Sequence, residues 1–475
     1  MSTVNRSRLM VLLLAVLAVA AALRFLAKHG REFASDRSLP NIVLITADDL
    51  GWKDLGCCGN PDVSTPNIDR LAREGVRFSN AFVVASSCSS SRASLITGQY
   101  PHTNGVTALT HRHPLRSLSP FHRTLPDLLG ESGYTTALQG KWHVAPYLPT
   151  SWYGYDERLS GILPSSFPIR DSKQAVDFIR RNRGNRFYLE LNFMQNHRDD
   201  DGELHFASGF PVDPDKIGVP EYWALPDSAE IREDIARFYS QTMEMDSLVG
   251  EVLQSLDDLE LADGTMVIFV SDNGPPYPGN KMTLYDRGTG TPLLVRWPGT
   301  LESGRVVDHL VSSIDILPTI LEALGIAIPE DVEGRSFLAM LRSDDSPATR
   351  DAVFSEMTYH AQYLPTRAAR TRRWKYIKNY SDIAVGLDQN QSDDWAHRLC
   401  ELPNQPWKRP RVEEELYDLE TDPHEQANLA EDERYAEPLR GLRALLRQHM
   451  IATKDPFLDA PFTNDYDAKM VQRNQ

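Results

Sequence analysis

Asn41-Ile42-Val43-Leu44-Ile45-Thr46-Ala47-Asp48-Asp49 is a continuous apolar run that stops at two carboxylates. Four of its first six residues are β-branched. A run this short, apolar throughout and without alternation, predicts a strand buried on both faces, as in a sheet covered by helices on each side. Carboxylates placed directly after such a strand stand at the edge where open α/β sheets bind ligands.

Outward from this strand the same punctuation recurs. Thr65-Pro66 predicts a helix with Thr65 as N-cap, ended by Gly75. Thr124-Leu125-Pro126 starts another, stopped near Gly133, and Tyr134 to Leu138 reads as a strand leading into Gly140-Lys141-Trp142-His143. Asp171 to Arg180 is helix-like, and Arg186 to Phe193 is a strand that runs into Met194-Gln195-Asn196-His197. The segment 199–225 reads as an irregular loop. Asp227 is placed to cap a long helix reaching Leu259, whose Ile231, Ile235, Phe238, Met245, Val249, Val252 and Leu256 recur at helical spacing and belong to the core. Thr265 to Val270 is a further buried strand, running into Ser271-Asp272-Asn273-Gly274. Pro292 to Trp297 predicts a strand and Ile316 to Leu324 a helix. After about residue 346 the pattern alternates: Trp374-Lys375-Tyr376-Ile377 and Glu415-Leu416-Tyr417-Asp418 predict exposed antiparallel strands, with a helix from Leu439 to Met450 packed on them.

Polar clusters thus follow four predicted strands: Asp48-Asp49, Lys141 with His143, His197, and Asp272-Asn273. Each alone has an ordinary structural reading; Asp-Asn-Gly, for one, is good turn chemistry. Parallel strands in one sheet would bring all four to one rim. Three carboxylates and an amide make a hard, oxygen-rich donor set that suits Ca2+, or less well Mg2+ or Mn2+.

Composition agrees with an ordinary α/β enzyme. The chain has 475 residues, long enough for a large domain and a smaller partner, with 41% hydrophobic and 24% charged residues. The balance of 66 acidic against 50 basic side chains, net −16, argues against a nucleic-acid partner and requires any anion site to be built from a local cluster of cations or metal. An apolar run from Leu9 to Leu23, flanked by Arg6, Arg8 and Arg24, suits a signal peptide or an uncleaved membrane anchor over residues 1–28, so export to the periplasm, the medium or the outer face of a membrane is expected. The catalytic domain is expected over residues 38–345 and a C-terminal subdomain over 346–475. Four cysteines, Cys57, Cys58, Cys88 and Cys400, exclude a disulfide scaffold; at most one bridge is expected, joining Cys400 to Cys57 or Cys58.

Cys88-Ser89-Ser90-Ser91-Arg92-Ala93-Ser94-Leu95-Ile96-Thr97-Gly98 predicts a loop turning into a helix near Ser90 or Ser91, with Gly98 near its end. Cys88 and Arg92 then stand at a helix N-terminus, where free N–H groups favour an anion. The plain alternative is a serine-rich cap with a buried cysteine.

This segment resembles the sulfatase signature Cys-x-Pro-Ser-Arg, with Ser90 where that family usually has proline. The resemblance extends in order over residues 40–325: Asn41 to Trp52, the Thr65–Gly75 helix, Tyr100-Pro101-His102 with Gly105, Gly140 to His143, and Ser271 to Gly274. It implies an alkaline-phosphatase-like α/β fold, a large mixed sheet flanked by helices with a smaller C-terminal subdomain containing an antiparallel sheet. It also implies that Cys88 is oxidised to formylglycine by a maturation enzyme and that the hydrate of that aldehyde is the nucleophile. Carried over by position, Asp48, Asp49, Asp272, Asn273 and the modified Cys88 would bind one calcium ion. Arg92 would stabilise the hydrate, Lys141 and Lys281 would hold sulfate oxygens, and His143 and His197 would serve proton transfer. Met194 and Asn196 replace a histidine and a proline common in the family's His-x-Pro-His element, leaving His197 alone there. Ser271 to Pro278 with Leu284-Tyr285, Glu415 to Asp418, Asp422 to Glu425 and Asp455-Pro456 resemble the heparan N-sulfatase (sulfamidase) group, which implies a sulfated sugar as substrate, with N-sulfoglucosamine or a related amino sugar in front. The segment Glu356 to Arg367, with Tyr359, His360 and Arg367, is expected either to contact substrate or to pack on the main domain. A phosphate or phosphonate ester hydrolase on the same scaffold, and a non-catalytic anion-binding protein with Cys88 unmodified, are the competing readings.

Overall fold

The computed structural model describes residues 39–159, 169–198, 204–360, 362–381 and 411–458. The apolar run Leu9–Leu23 and Cys400 lie outside these residues. Among the described residues no helix is long and apolar enough to cross a membrane.

The main sheet has eight strands in the order β5-β4-β6-β1-β7-β8-β2-β9, where β1 is Asn41–Ala47, β2 Val76–Phe78, β4 Thr135–Gly140, β5 Glu157–Arg158, β6 Phe187–Asn192, β7 Thr265–Ser271, β8 Leu293–Arg296 and β9 Arg305–Val307. β5, β4, β6, β1 and β7 are all parallel, and β8 alone runs against the rest. A short parallel pair, β3 (Ala81–Phe82) with β10 (Val311–Ser312), lies apart.

Residues of β1 alternate between two cores. Ile42 and Leu44 pack with helices α2 (Cys88–Thr97), α3 (Leu125–Glu131) and α6 (Ile316–Ala323). Val43 and Ile45 pack with α1 (Pro66–Glu74), α4 (Lys173–Arg181) and α5 (Ala229–Asp258). Burial on both faces is why this strand shows no polar alternation. The predicted α/β class with a large mixed sheet between helices is the observed one.

Two predicted caps differ in detail. The Thr65 hydroxyl donates to Asp69 Oδ1 (2.9 Å) and accepts from the Gly56 amide, so it ties the loop before the helix and caps no helical amide. On α5 the cap is Ser228, whose hydroxyl accepts from the Ile231 amide, while Asp227 pairs with Arg232. Adjacent Asp and Ser are both competent caps, and the chain's entry angle selects the second.

The C-terminal sheet is antiparallel, in the order β11 (Ala352–Tyr359), β12 (Tyr363–Thr371), β13 (Trp374–Asn379), β14 (Glu414–Asp418). Its strands were expected to be exposed and are largely buried. Helix α7 (Ala436–Ala452) covers one face through Leu439, Leu442, Leu446 and Met450. Met282 and Leu284, from the loop after Asn273, pack on the other against Met357, Leu364, Ala368, Ile377 and Tyr417.

Candidate active site

The C-terminal ends of four adjacent parallel strands, β4, β6, β1 and β7, meet at one rim, and the four polar clusters stand there. Asp49 adopts a left-handed conformation (φ 57°), tolerated by aspartate. The turn is fixed from the neighbouring strand: the Asp49 amide donates to Asp272 Oδ1 (3.1 Å) and the Leu50 amide to Ser271 Oγ (3.1 Å). Asn273 Nδ2 donates to Asp49 Oδ1 (2.7 Å) and to the Gly274 carbonyl (2.8 Å), which orients its Oδ1 toward Cys88. Gly274 is required because a Cβ there would lie 2.0 Å from the Arg287 carbonyl oxygen.

Ser87 is extended and α2 begins at Cys88, two to three residues before the expected start near Ser90 or Ser91, because the Ser91 amide already bonds the Ser87 carbonyl; Gly98 closes it in the left-handed conformation (φ 68°). Every residue of this helix is buried. Cys88 Sγ lies 3.5 Å from Asp48 Oδ1, 3.9 Å from Asp49 Oδ1 and 3.6 Å from Asn273 Oδ1. One turn on, Arg92 donates from Nε to Asp272 Oδ2 (2.8 Å), and its Nη2 is 3.7 Å from Asp48 Oδ2. Both terminal nitrogens are buried without a hydrogen-bond partner among the described residues, which leaves donors for a ligand oxygen.

Two further cations complete the cluster. Lys141 donates to Asp48 Oδ2 and Lys281 to Asp49 Oδ2, the latter at 2.8 Å. Lys281 arrives on a loop tied back to the approach to α2, where the Met282 amide donates to the Ser86 carbonyl. His143 is buried, with Nε2 at 2.6 Å from His111 Nδ1. His197 is half-buried, its Nδ1 against the Arg198 carbonyl.

Electrostatics follow from packing charges without water. Burial raises the Cys88 thiol well above its ordinary value despite Lys141 and Lys281, so the cysteine itself is a poor nucleophile. Burial would also raise Asp48, but Lys141 and Arg92 outweigh it and hold that carboxyl well below its usual range. Asp272 is pushed up to about 7 by burial and by Asp48, even with Arg92 beside it. Lys141 is buried yet held above its ordinary value by Asp48. Burial, then Lys141, push both His143 and His197 down, so both rings are neutral near pH 7.

Ligand atoms of Asp48, Asp49, Cys88 and Asp272 lie within 4.8 Å of one another. Three carboxylates crowded at that distance, one of them forced toward protonation, fit a hard divalent cation, with Asn273 Oδ1 as a further donor.

All ten residues singled out in the sequence as catalytic or metal-binding, Asp48, Asp49, Cys88, Arg92, Lys141, His143, His197, Asp272, Asn273 and Lys281, stand at this rim. The sequence reading missed His111, a lone histidine in an aperiodic segment that shows its partner only in three dimensions. It missed also that His360 places Nδ1 2.9 Å from Ser87 Oγ, at the start of α2. Glu356 and Arg367 face the interior: Glu356 holds His102, and Arg367 is paired with Asp455.

The model of the family described as Sulfatase matches residues 40–326, and the one described as N-sulphoglucosamine sulphohydrolase, C-terminal, matches residues 279–394. The chain is 32% identical to N-sulphoglucosamine sulphohydrolase of Homo sapiens, over 89% of this chain and 92% of that protein. It is 30% identical to an ulvan-active sulfatase of Formosa agariphila, over 83% of this chain and 77% of that protein. A structure solved in complex with its substrate D-glucosamine-2-N,6-O-disulfate superposes with a TM-score of 0.68 at 21% identity, covering 91% of this chain and 100% of that one.

Proposed function

The chain belongs to the sulfatase family, and we propose that within it this protein removes sulfate from a sulfated amino sugar of a glycosaminoglycan, with N-sulfoglucosamine as the leading substrate. The observation that carries the reading is Cys88 at a buried helix N-terminus, set among Asp48, Asp49 and Asn273 with Arg92, Lys141 and Lys281 on the same carboxylates. The choice of sugar rests on the N-sulphoglucosamine sulphohydrolase relative and the matching C-terminal region.

Conversion of Cys88 to formylglycine by a maturation enzyme would supply the nucleophilic hydroxyl that a protonated thiol lacks. A calcium ion held by Asp48, Asp49, Asp272, Asn273 and residue 88 would supply positive charge against the sulfuryl oxygens. The chain's own groups do the rest. Arg92 offers its two terminal nitrogens, which have no hydrogen-bond partner among the described residues, and Lys141 and Lys281 their ammonium groups, to the sulfuryl oxygens as charge shifts onto them. His197, half-buried at the rim and neutral before substrate binds, would take a proton from water as the anionic sulfate arrives beside it and pass that proton to the leaving nitrogen or oxygen of the sugar. His143, neutral and buried, takes up on Nδ1 the proton that residue 88 releases as sulfate departs. The apolar run from Leu9 to Leu23 supports export of the enzyme through a signal peptide or an uncleaved anchor; recovery of the protein only in the cytoplasmic fraction of its host would contradict this.

The test is a panel of N-, 2-O-, 3-O- and 6-O-sulfated glucosamines beside aryl sulfates and matched phosphate esters, followed by release of sulfate or phosphate. The reading predicts highest kcat/KM on the N-sulfated sugar. Turnover confined to aryl sulfates, or to phosphate esters, would overturn it.

A further inference from the structure

Strand β6 carries three polar residues in file. Tyr188, Glu190 and Asn192 alternate with Phe187, Leu189 and Leu191, which face the opposite core, and all six are buried. Glu190 is 3% exposed, and its carboxylate accepts from three donors. The Tyr155 and Tyr188 hydroxyls both donate to Oε2, the latter at 2.7 Å, and Asn192 Nδ2 donates to Oε1 at 2.8 Å. Burial, then Glu190, raise both phenols well above their ordinary value, so each keeps the proton it donates. Asn192 Nδ2 has a second hydrogen, and it goes to the Lys141 carbonyl at 2.8 Å. In return the Lys141 amide donates to the Asn192 carbonyl at 3.1 Å. Lys141 is the first residue beyond β4, so Asn192 holds the peptide groups on both its sides. Gly140 permits the close approach: its φ is 91°, and a Cβ there would lie 2.1 Å from the Asn192 carbonyl oxygen.

We propose that Asn192, locked in one orientation by Glu190, is a positioning residue for Lys141. The proposal rests on the reading of Lys141 as a cation that holds the sulfuryl oxygens. Lys141 carries its ammonium to Asp48 Oδ2 on a flexible four-carbon stem. The ammonium is placed only as well as the main chain from which that stem starts. Asn192 fixes that main chain from both sides, and Glu190 fixes Asn192.

The need for Glu190 follows from the chemistry of an amide side chain. Rotation by half a turn about its last bond exchanges Nδ2 for Oδ1, and an oxygen facing the Lys141 carbonyl would repel it. Two acceptors on the same nitrogen, Glu190 Oε1 and the Lys141 carbonyl, exclude that rotation. The choice is unfavourable for the amide's other end: Asn192 Oδ1 is buried without a hydrogen-bond partner among the described residues. A carboxylate is suited to the task because it alone accepts from two phenols and an amide at once. A glutamine has one acceptor oxygen for those three donors, so its nitrogen must face either Asn192 Nδ2 or the phenols.

The experiment uses the full-length, matured enzyme in a double-mutant cycle. Asn192→Leu keeps the volume and removes the side-chain donor; Glu190→Gln keeps the shape and removes one acceptor. Each is made alone and together with Lys141→Met. Two quantities are read: kcat and KM for N-sulfoglucosamine, and the affinity for inorganic sulfate by calorimetry. Asn192→Leu should lower kcat/KM by roughly tenfold to a hundredfold, as misplacement of a catalytic group does, and weaken sulfate binding. Glu190→Gln should show a smaller loss of the same kind. In the Lys141→Met background neither substitution should weaken sulfate or slow residual turnover further, because the group they position is gone. Wild-type kinetics and sulfate affinity in both single variants would overturn the proposal. So would losses that persist at full size beside Lys141→Met, since they would mark a purely structural role. Glu190→Gln decides alone if Asn192→Leu does not fold. If Lys141→Met itself binds sulfate and turns over as the wild type does, the reading of Lys141 fails and the proposal with it; if only the single variants are unimpaired, that reading stands and the positioning role fails.

Discussion

The ammonium of Lys281 lies 2.8 Å from Asp49 Oδ2, across 232 positions of sequence. It is held there by the C-terminal sheet. Met282 and Leu284, just beyond it, are packed against Met357, Leu364 and Ile377, and Asp286 is gripped by Lys375 at 2.8 Å and Arg370 at 3.2 Å. The smaller sheet thus sets the position of a cation in the main site. Lys281→Met removes the charge with little change in volume. It should lower kcat/KM on the order of a hundredfold or more, as loss of a charge-stabilising donor does. Unchanged kinetics would place Lys281 outside the chemistry.

Asp48 carries two cations, Lys141 and Arg92. Asp48→Ala leaves both buried with one partner fewer, and loss of one side of a buried ion pair costs about 3–5 kcal/mol. Chemical denaturation should show that loss, turnover should vanish, and calcium, which should raise the wild-type Tm, should leave the variant's unmoved. Full activity after exhaustive chelation of the wild type would remove the metal from the account.

His102 and Glu356 join the segment after α2 to β11. Burial works against the His102 cation, but Glu356 prevails and the ring sits above its ordinary 6.5. The folded state therefore holds this proton more tightly than the unfolded chain. The pair's stabilisation is complete below the ordinary value and fades as pH rises through the folded one. The Tm difference between wild type and His102→Gln should be largest below the ordinary value of 6.5 and shrink as the pH rises above it through the raised folded-state value. His449 nearby is pushed down to about 3, chiefly by burial and by His102, and works in the opposite direction, so the comparison must be between the two proteins and not along one curve. A pH-independent difference would exclude the pair.

Ser90 lies in the first turn of α2, ahead of Ser91, whose amide makes the bond to the Ser87 carbonyl at 2.9 Å. A proline there gives up no helical hydrogen bond. Its fixed φ also favours the extended form that a maturation enzyme would accept in the unfolded precursor. Ser90→Pro should leave Tm unchanged, and raise or equal the converted fraction of Cys88, with kcat per converted molecule constant. A lower converted fraction would contradict this.

Much of this site can be read in the sequence because strands buried on both faces are apolar runs, and the carboxylates, Lys141 and Asn273 follow those runs closely. What stays hidden depends on tertiary cover. The strands around Trp374 and Glu415 alternate as half-exposed strands do, yet α7 and the Lys281 loop cover both faces. Asp227 and Ser228 are equivalent as caps until the chain's entry angle is known. His111 has no period and no neighbour in sequence that announces His143. The expected bridge from Cys400 to Cys57 or Cys58 lies partly outside the described residues; within them Cys57 and Cys58 are free thiols with sulfurs 3.9 Å apart.

The central claim is that residue 88 works as an aldehyde and not as a thiol. The direct measurement is the mass of the tryptic peptide Phe78–Arg92 from protein purified from its native host, taken on a preparation whose sulfate release has been followed through many turnovers. The account predicts a peptide in which residue 88 has exchanged sulfur for oxygen and lost two hydrogens, in a fraction that matches the active fraction of the preparation. Repeated sulfate release by protein whose residue 88 is entirely unmodified cysteine would contradict it.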